Sequence, residues 1–166
     1  GSEVDARACE GGYAWTIYLS PRDYHRVHAP ERCTLAEVRR IPGTRFSVAA
    51  EVLARRLVLP INDRAVFRLE TAGGPLFLVM VGATNVGRIR VVGEATSAVD
   101  SSSAGEPVRR RFTRGEEMAR FEMGSTVVLV APPELLAPSA TIAPGVHVRL
   151  GEPLASWRRV AGARNA

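Results

Sequence analysis

Two of the three histidines fall in the run Asp23-Tyr24-His25-Arg26-Val27-His28, and a glycine directly precedes a hydroxyl pair in Gly124-Ser125-Thr126. Histidine changes protonation near neutral pH, so two of them close together suit general acid–base work. Glycine leaves its carbonyl open to attack by the next hydroxyl, and a nearby base would turn that geometry into a backbone N-to-O acyl shift. Each segment also has a plain structural reading. Histidines three apart lie on one face of a helical turn or on opposite faces of a strand, as a surface pair or as two metal ligands. No second cluster of Cys, His or carboxylates supplies further ligands, so no metal is expected. Gly-Ser-Thr at the mouth of a strand can simply be a place where backbone packs closely. His147, in the alternating Val146-His147-Val148, reads as a structural strand residue.

These groups need a scaffold, and the local pattern is mostly strand-like. Tyr13–Leu19 alternates large and small side chains and ends at the loop signal Ser20-Pro21. Ala65–Thr71 and Pro75–Val81 flank Ala72-Gly73-Gly74 as a hairpin. Asn85–Val92 reads as another strand, and Ser125–Val130 as a buried, β-branched one. Asp100–Gly105 is a polar surface loop. Gly115–Arg120 reads as a turn or short helix. The only helix of any length is expected over Ser47–Leu59, where Val48, Val52 and Leu59 carry some helical spacing. Beyond residue 131, Pro132, Pro133, Pro138, Pro144 and Pro153 divide the chain too finely for a long helix. The expected class is mainly β with a minor helix, an antiparallel β-sandwich or a partly closed barrel.

Composition removes several chemistries. The 166 residues contain 22 Lys+Arg, and all 22 are arginine. Without lysine the chain cannot hold pyridoxal phosphate as an internal aldimine, form a lysine Schiff base, or act as a Walker-type phosphate loop. The 46% hydrophobic content supports a packed core, and two cysteines do not make a disulfide scaffold. No apolar run reaches the ~20 residues of a spanning helix.

The net charge of +5 invites an anionic partner. The arginines are scattered, however, with only Val108–Arg114 dense, and no aromatics interleave with them as a stacking platform would require. Nucleic acid is therefore not expected, whereas an anionic lipid surface fits. Cys9 and Cys33 sit in no paired spacing, which points to a reducing, cytoplasmic setting. The opening Gly1-Ser2 reads as a cleavage scar from recombinant expression, with residues 159–166 as a tail beyond a domain over 3–158.

Taken together, the segments resemble a known family. Ile17-Tyr18-Leu19-Ser20-Pro21-Arg22-Asp23-Tyr24-His25-Arg26-Val27-His28-Ala29-Pro30 is similar to the hallmark segment of phosphatidylserine decarboxylases. Val81-Gly82-Ala83-Thr84-Asn85-Val86-Gly87 resembles their glycine-rich strand pair, and the run from Gly115 to Val128 resembles their cleavage region. The resemblance implies a proenzyme that cuts itself between Gly124 and Ser125, giving chains 1–124 and 125–166. Ser125 would be the nucleophile and become a pyruvoyl group, supplying the carbonyl while the substrate supplies the amine. Such a decarboxylase does not require lysine. The resemblance further implies His28 as the base for self-cleavage and His25 as the decarboxylation residue, with Asp23, Tyr24 and Thr126 in support. It implies phosphatidylserine as substrate, phosphatidylethanolamine as product, and a peripheral position at the inner membrane. Self-association as a homodimer stays open.

The match is incomplete in one respect. Family members carry an aspartate in a Ser-Pro-x-Asp-Gly type segment before the Asp-Tyr-His-Arg motif. Here Glu3-Val4-Asp5-Ala6 lacks the proline and glycine, so Asp5 is not taken as its equivalent. Asn62-Asp63-Arg64 stands where the family usually has Asn-Glu-Arg. Two alternatives arise: the same chemistry on a soluble amino acid or serine-bearing metabolite, or a non-cleaving relative that only binds anionic lipid through Val108–Arg114.

Overall fold

A computed structural model describes residues 2–84, 88–93, 106–122 and 124–158. The elements run in the order α1 (Glu3–Ala8), β1 (Tyr13–Leu19), β2 (Arg26–His28), β3 (Cys33–Ile41), α2 (Ala50–Leu53), β4 (Arg64–Thr71) and β5 (Gly74–Val81). They continue with β6 (Ile89–Val91), β7 (Glu106–Phe112), β8 (Glu117–Phe121), β9 (Ser125–Ala131), β10 (Leu136–Pro138) and β11 (Ala155–Trp157). The protein is mainly antiparallel β, in open sheets that do not close into a barrel.

The large sheet has the strand order β1-β9-β5-β4-β3-β7. Of its inner strands, β5 and β9 are nearly continuous apolar runs because both their faces are covered, while the edge strand β1 alternates. Phe67, Leu69 and Met80 are completely buried in this sheet, each worth about 1.5–3 kcal/mol of transfer free energy. The β4–β5 hairpin turns at Ala72-Gly73, as the flanking apolar runs predict, and pairs in unbroken register from Arg64↔Val81 to Thr71↔Gly74.

A second, smaller sheet has the order β2-β8-β6 and shares the same hydrophobic core. Its inward row is Val27, Ala119 and Val91, all buried, and its outward row is Arg26, Arg120 and Arg90. The segment expected to be a turn or short helix at Gly115–Arg120 divides differently. Residues 113–116 make the turn, and Glu117 onward is strand, because β8 finds partners on both sides that lie far away in sequence.

Other expectations also change. The helix expected over Ser47–Leu59 shrinks to Ala50–Leu53, because the chain doubles back there to bury Val48 and Val58 as anchors and leaves Arg55, Arg56 and Leu57 in solvent. Val146-His147-Val148 is not a strand, since β10 pairs instead with β11 and no partner remains for it. The strand expected over Asn85–Val92 is present at Ile89–Val91. Residues 85–87 and the loop expected at Asp100–Gly105 lie outside the described residues.

Candidate active site

Two connections cross between the sheets at one corner. In the large sheet Leu19 pairs with Ser125; in the small sheet Arg26 pairs with Arg120, and the Phe121 amide donates to the His25 carbonyl at 3.0 Å. The path out of β1 through residues 20–25 and the path into β9 at Gly124 therefore run side by side. Local chemistry shapes the first connection. The Asp23 amide donates to the Ser20 carbonyl, and the Asp23 carboxylate accepts from the Ser20 amide at 2.7 Å. That hydrogen bond from Ser20 holds the Asp23 carboxyl below its ordinary range, with attraction from His147 and His25 adding to it.

Gly124 has no room for a side chain. A Cβ there would lie 2.8 Å from the Leu19 carbonyl oxygen, 2.8 Å from the Pro21 nitrogen and 2.9 Å from the Ser20 carbonyl carbon, all rigid backbone. The glycine is thus required by the close approach of the two connections, whatever its chemical role.

Ser125 and Thr126 open β9 and are fully buried. The Ser125 hydroxyl donates to the Val81 carbonyl at the end of β5. This fixes the side-chain rotamer, and among the described residues no donor reaches the oxygen lone pairs. Among the described residues Thr126 Oγ1 is buried without a hydrogen-bond partner, and so is His25 Nε2. Buried polar atoms without partners are costly, and their usual explanation is a group or water that belongs with them.

His28 ends β2 and is held on both sides. Its Nδ1 lies 2.8 Å from the Gly115 carbonyl, and its Nε2 2.8 Å from the Tyr24 hydroxyl. A carbonyl only accepts, so Nδ1 carries a proton and donates, and in that tautomer Nε2 accepts a hydrogen bond from the Tyr24 hydroxyl. The Tyr24 ring stacks on the imidazole at 5.6 Å and 16°. Gly115 adopts a positive φ of 80° that aims its carbonyl this way. The turn is secured by the Glu116 carboxylate, which accepts from the Thr113 amide and hydroxyl and is held below its ordinary pKa by the first of these.

The corner thus sets the connection of residues 20–25 beside Gly124 and the start of β9 at Ser125 and Thr126, while His28 stands at the end of β2. Among the described residues no hydrogen bond joins His28 to Ser125. Asp5 lies elsewhere, with its carboxylate 3.9 Å from Arg68 Nε on β4. Two residues to which sequence reasoning assigned no part in the site reach its neighbourhood. His147 sits close enough to Asp23 to act on its ionisation. Asn62 is fully buried, and its side chain makes four hydrogen bonds among the described residues: it donates to the Phe46 and Gly82 carbonyls and accepts from the Thr44 hydroxyl and the Phe46 amide. It thereby pins residues 44–46 to Gly82, next to the Val81 carbonyl that holds Ser125. A buried asparagine between a proline-containing turn and an apolar strand was the available signal. No group of three or more potential metal ligands exists among the described residues.

Comparison with known proteins shows the family of the chain. The family model described as phosphatidylserine decarboxylase matches residues 1–156. The chain belongs to the phosphatidylserine decarboxylase family. It is 38% identical over 95% of its length to a phosphatidylserine decarboxylase proenzyme of Stenotrophomonas maltophilia, covering 59% of that protein. It is equally similar to the proenzyme of Methylococcus capsulatus, with 95% of this chain and 57% of the relative covered. The proenzyme of Xanthomonas axonopodis pv. citri is 37% identical over 93% of this chain and 58% of its own length. The chain therefore spans somewhat more than half the length of these relatives of the family.

Proposed function

We propose that this chain carries the self-cleaving, decarboxylating core of a phosphatidylserine decarboxylase. The observation that carries the reading is Ser125: a buried hydroxyl fixed by the Val81 carbonyl, behind a glycine that the fold itself requires, at the corner where the histidine segment begins. In the self-cleavage step Ser125 Oγ attacks the Gly124 carbonyl carbon, and the bond from that carbon to the Ser125 nitrogen breaks. An ester replaces the amide, and the hydroxyl proton passes through a base to the freed nitrogen. Elimination of that ester, then addition of water with loss of ammonia, leaves a pyruvoyl group at position 125. When formed, this group offers an electron-accepting carbonyl to an amine-bearing carboxylate. Thr126 Oγ1 and His25 Nε2, buried polar atoms without a hydrogen-bond partner among the described residues, support a polar group belonging to this part of the fold.

His28 is the base in this reading. The Gly115 carbonyl fixes its tautomer so that Nε2 is the basic nitrogen, a role often filled by a carboxylate. Tyr24 covers that nitrogen and is exposed, so it can swing away when a proton must be taken.

The substrate lies in a membrane surface in this reading. Among the described residues no helix is long and apolar enough to cross a bilayer. Residues 42–63 instead expose Phe46 (46%), Ile61 (50%) and Leu57 (85%), with Arg55 and Arg56 beside them. Backbone hydrogen bonds from Thr44 to Ile61 and from Ile61 to Val58 hold these positions together. Apolar side chains flanked by arginine suit an anionic bilayer interface. The segment rests through Asn62 on Gly82, one residue from Val81. The Val108–Arg114 cluster is less free, because Arg110 donates to the Val92 carbonyl and lies over the Phe112 ring.

The test is intact mass of the purified chain, followed by carbon dioxide release from phosphatidylserine vesicles. Two pieces divided between Gly124 and Ser125, the smaller blocked at its amino end, support the reading. Cleaved protein that releases carbon dioxide only from water-soluble serine derivatives shifts the substrate. A single uncleaved chain that still binds anionic vesicles supports the second reading, a lipid-binding relative, which the lack of a His28–Ser125 hydrogen bond favours.

A further inference from the structure

The outward row of the small sheet consists of arginine alone. Arg26 on β2 faces Arg120 on β8, which faces Arg90 on β6. Directly opposed residues of an antiparallel pair project to the same face with Cβ atoms about 4.5–5.5 Å apart, and like charges placed so are destabilising. The inward neighbours Val27, Ala119 and Val91 are buried in the core, so the sheet cannot slip its register to separate the arginines without exposing that row.

The outer two arginines are partly neutralised. Arg26 pairs with Glu117 at 3.0 Å, and Arg90 with Glu122 at 2.6 Å. The central Arg120 is exposed and has no hydrogen-bond or ion-pair partner among the described residues. Two clamped guanidinium groups therefore flank a free one, on a surface that water and ligands can reach. Guanidinium forks match the oxygens of phosphate bidentately, and one phosphate between three arginines would remove the repulsion. The strand bearing Arg120 leads, within a few residues, to Gly124 and Ser125.

We propose that Arg26, Arg120 and Arg90 form a phosphate-binding row that engages the headgroup phosphate of a phospholipid. The oxyanion site stands on the register alone. Only the choice of a lipid as the source of the phosphate rests on the decarboxylase reading.

The experiment follows thermal stability and vesicle binding of the full chain. Inorganic phosphate is titrated at constant ionic strength, with chloride as the reference salt. Mixed phosphatidylglycerol–phosphatidylcholine vesicles are titrated separately. Arg120→Gln is expected to raise the melting temperature in the absence of phosphate, because it removes like-charge repulsion, and to abolish most of the further rise that phosphate gives the parent. The same variant is expected to bind the vesicles about fivefold more weakly, the weight of one arginine at an anionic surface. Arg149→Gln, an exposed arginine outside the sheets with the same loss of charge, is the control and is expected to leave the phosphate response intact. A phosphate response lost only in Arg120→Gln supports the row with free phosphate as sufficient ligand. Weakened vesicle binding in that variant, without any response to soluble phosphate, supports the lipid headgroup as the source. Equal behaviour of the Arg120 and Arg149 variants, or of Arg120→Gln and the parent, overturns the proposal. Neither readout involves cleavage, so the row is tested equally well in a chain that never processes itself.

Discussion

The His28 imidazole donates from Nδ1 to the carbonyl of Gly115, 87 residues away in sequence, across 2.8 Å. A neutral carbonyl thus fixes the tautomer of the histidine, and the opposite nitrogen meets the Tyr24 hydroxyl. His28→Ala is expected to slow self-cleavage by about 100-fold or more, the usual weight of a positioned base. Tyr24→Phe, at an exposed position, should change stability by under ~0.5 kcal/mol and leave cleavage at least as fast, because it uncovers Nε2. Time-resolved mass measurement on both variants checks this. Cleavage abolished by Tyr24→Phe would remove His28 Nε2 from the role of base.

Gly124→Ala places a methyl group against fixed backbone at Leu19, Ser20 and Pro21. The expected cost is ~1–3 kcal/mol of overpacking, together with loss of cleavage. Ser125→Ala should also stay uncleaved but destabilise for a different reason, since the buried Val81 carbonyl loses its donor, at about 1–3 kcal/mol. Chemical denaturation distinguishes them from the parent. A Gly124→Ala protein as stable as wild type would show that the two connections are not in tight contact.

Asn62 is the position whose loss should be felt farthest. Replacement by alanine leaves the Gly82 carbonyl without its partner in a buried place, at about 1–3 kcal/mol, and frees the part-buried Phe46 carbonyl and amide at a smaller cost because water can reach them. The expected outcome is a lower denaturation midpoint and, in protein that still folds, slower cleavage through displacement of Val81. Normal cleavage in a clearly destabilised Asn62→Ala chain would separate this network from the site.

The pH dependence of stability follows from three carboxylates. Asp23, Glu31 and Glu116 are each held below their ordinary values of 3.8, 4.5 and 4.5, first of all by backbone hydrogen bonds from Ser20, Arg32 and Thr113. Their folded-state pKa values are depressed, so the unfolded chain binds more protons on acidification. The stability they provide is complete above pH 4.5 and is lost as pH falls through their lower folded values. Urea midpoints measured from about pH 6 down to about pH 3 should decline below about pH 4.5, with a shallower decline in Glu116→Gln. An identical slope in that variant would show that the Thr113–Glu116 turn is not held this way.

Cys33 is buried, and desolvation pushes its thiol up to about 11. At about pH 8 a thiol reagent should modify the part-exposed Cys9 and spare Cys33 until the chain unfolds. Peptide mapping after timed labelling checks this, and equal labelling of both thiols in the native protein would contradict it.

Read by itself, the sequence determined the β class, the hairpin about Ala72-Gly73-Gly74, the β1 strand to its last residue, and Ser125 at the mouth of a buried strand. All of these rest on local signals: a two-residue period, turn glycines and β-branched runs written within a dozen residues. The resemblance to the decarboxylase family was legible for the same reason, since its motifs are contiguous. What only the tertiary structure decided is non-local. The strand at Glu117–Phe121 forms because β2 and β6 lie on either side of it, the helix over 47–59 gives way because Val48 and Val58 both find the core, and His147 is brought to Asp23 instead of joining a strand. The arginine row obeys the same principle. Arg26, Arg90 and Arg120 carry no shared motif, and they become neighbours only because Val27, Val91 and Ala119 must be buried together on the other face of the sheet.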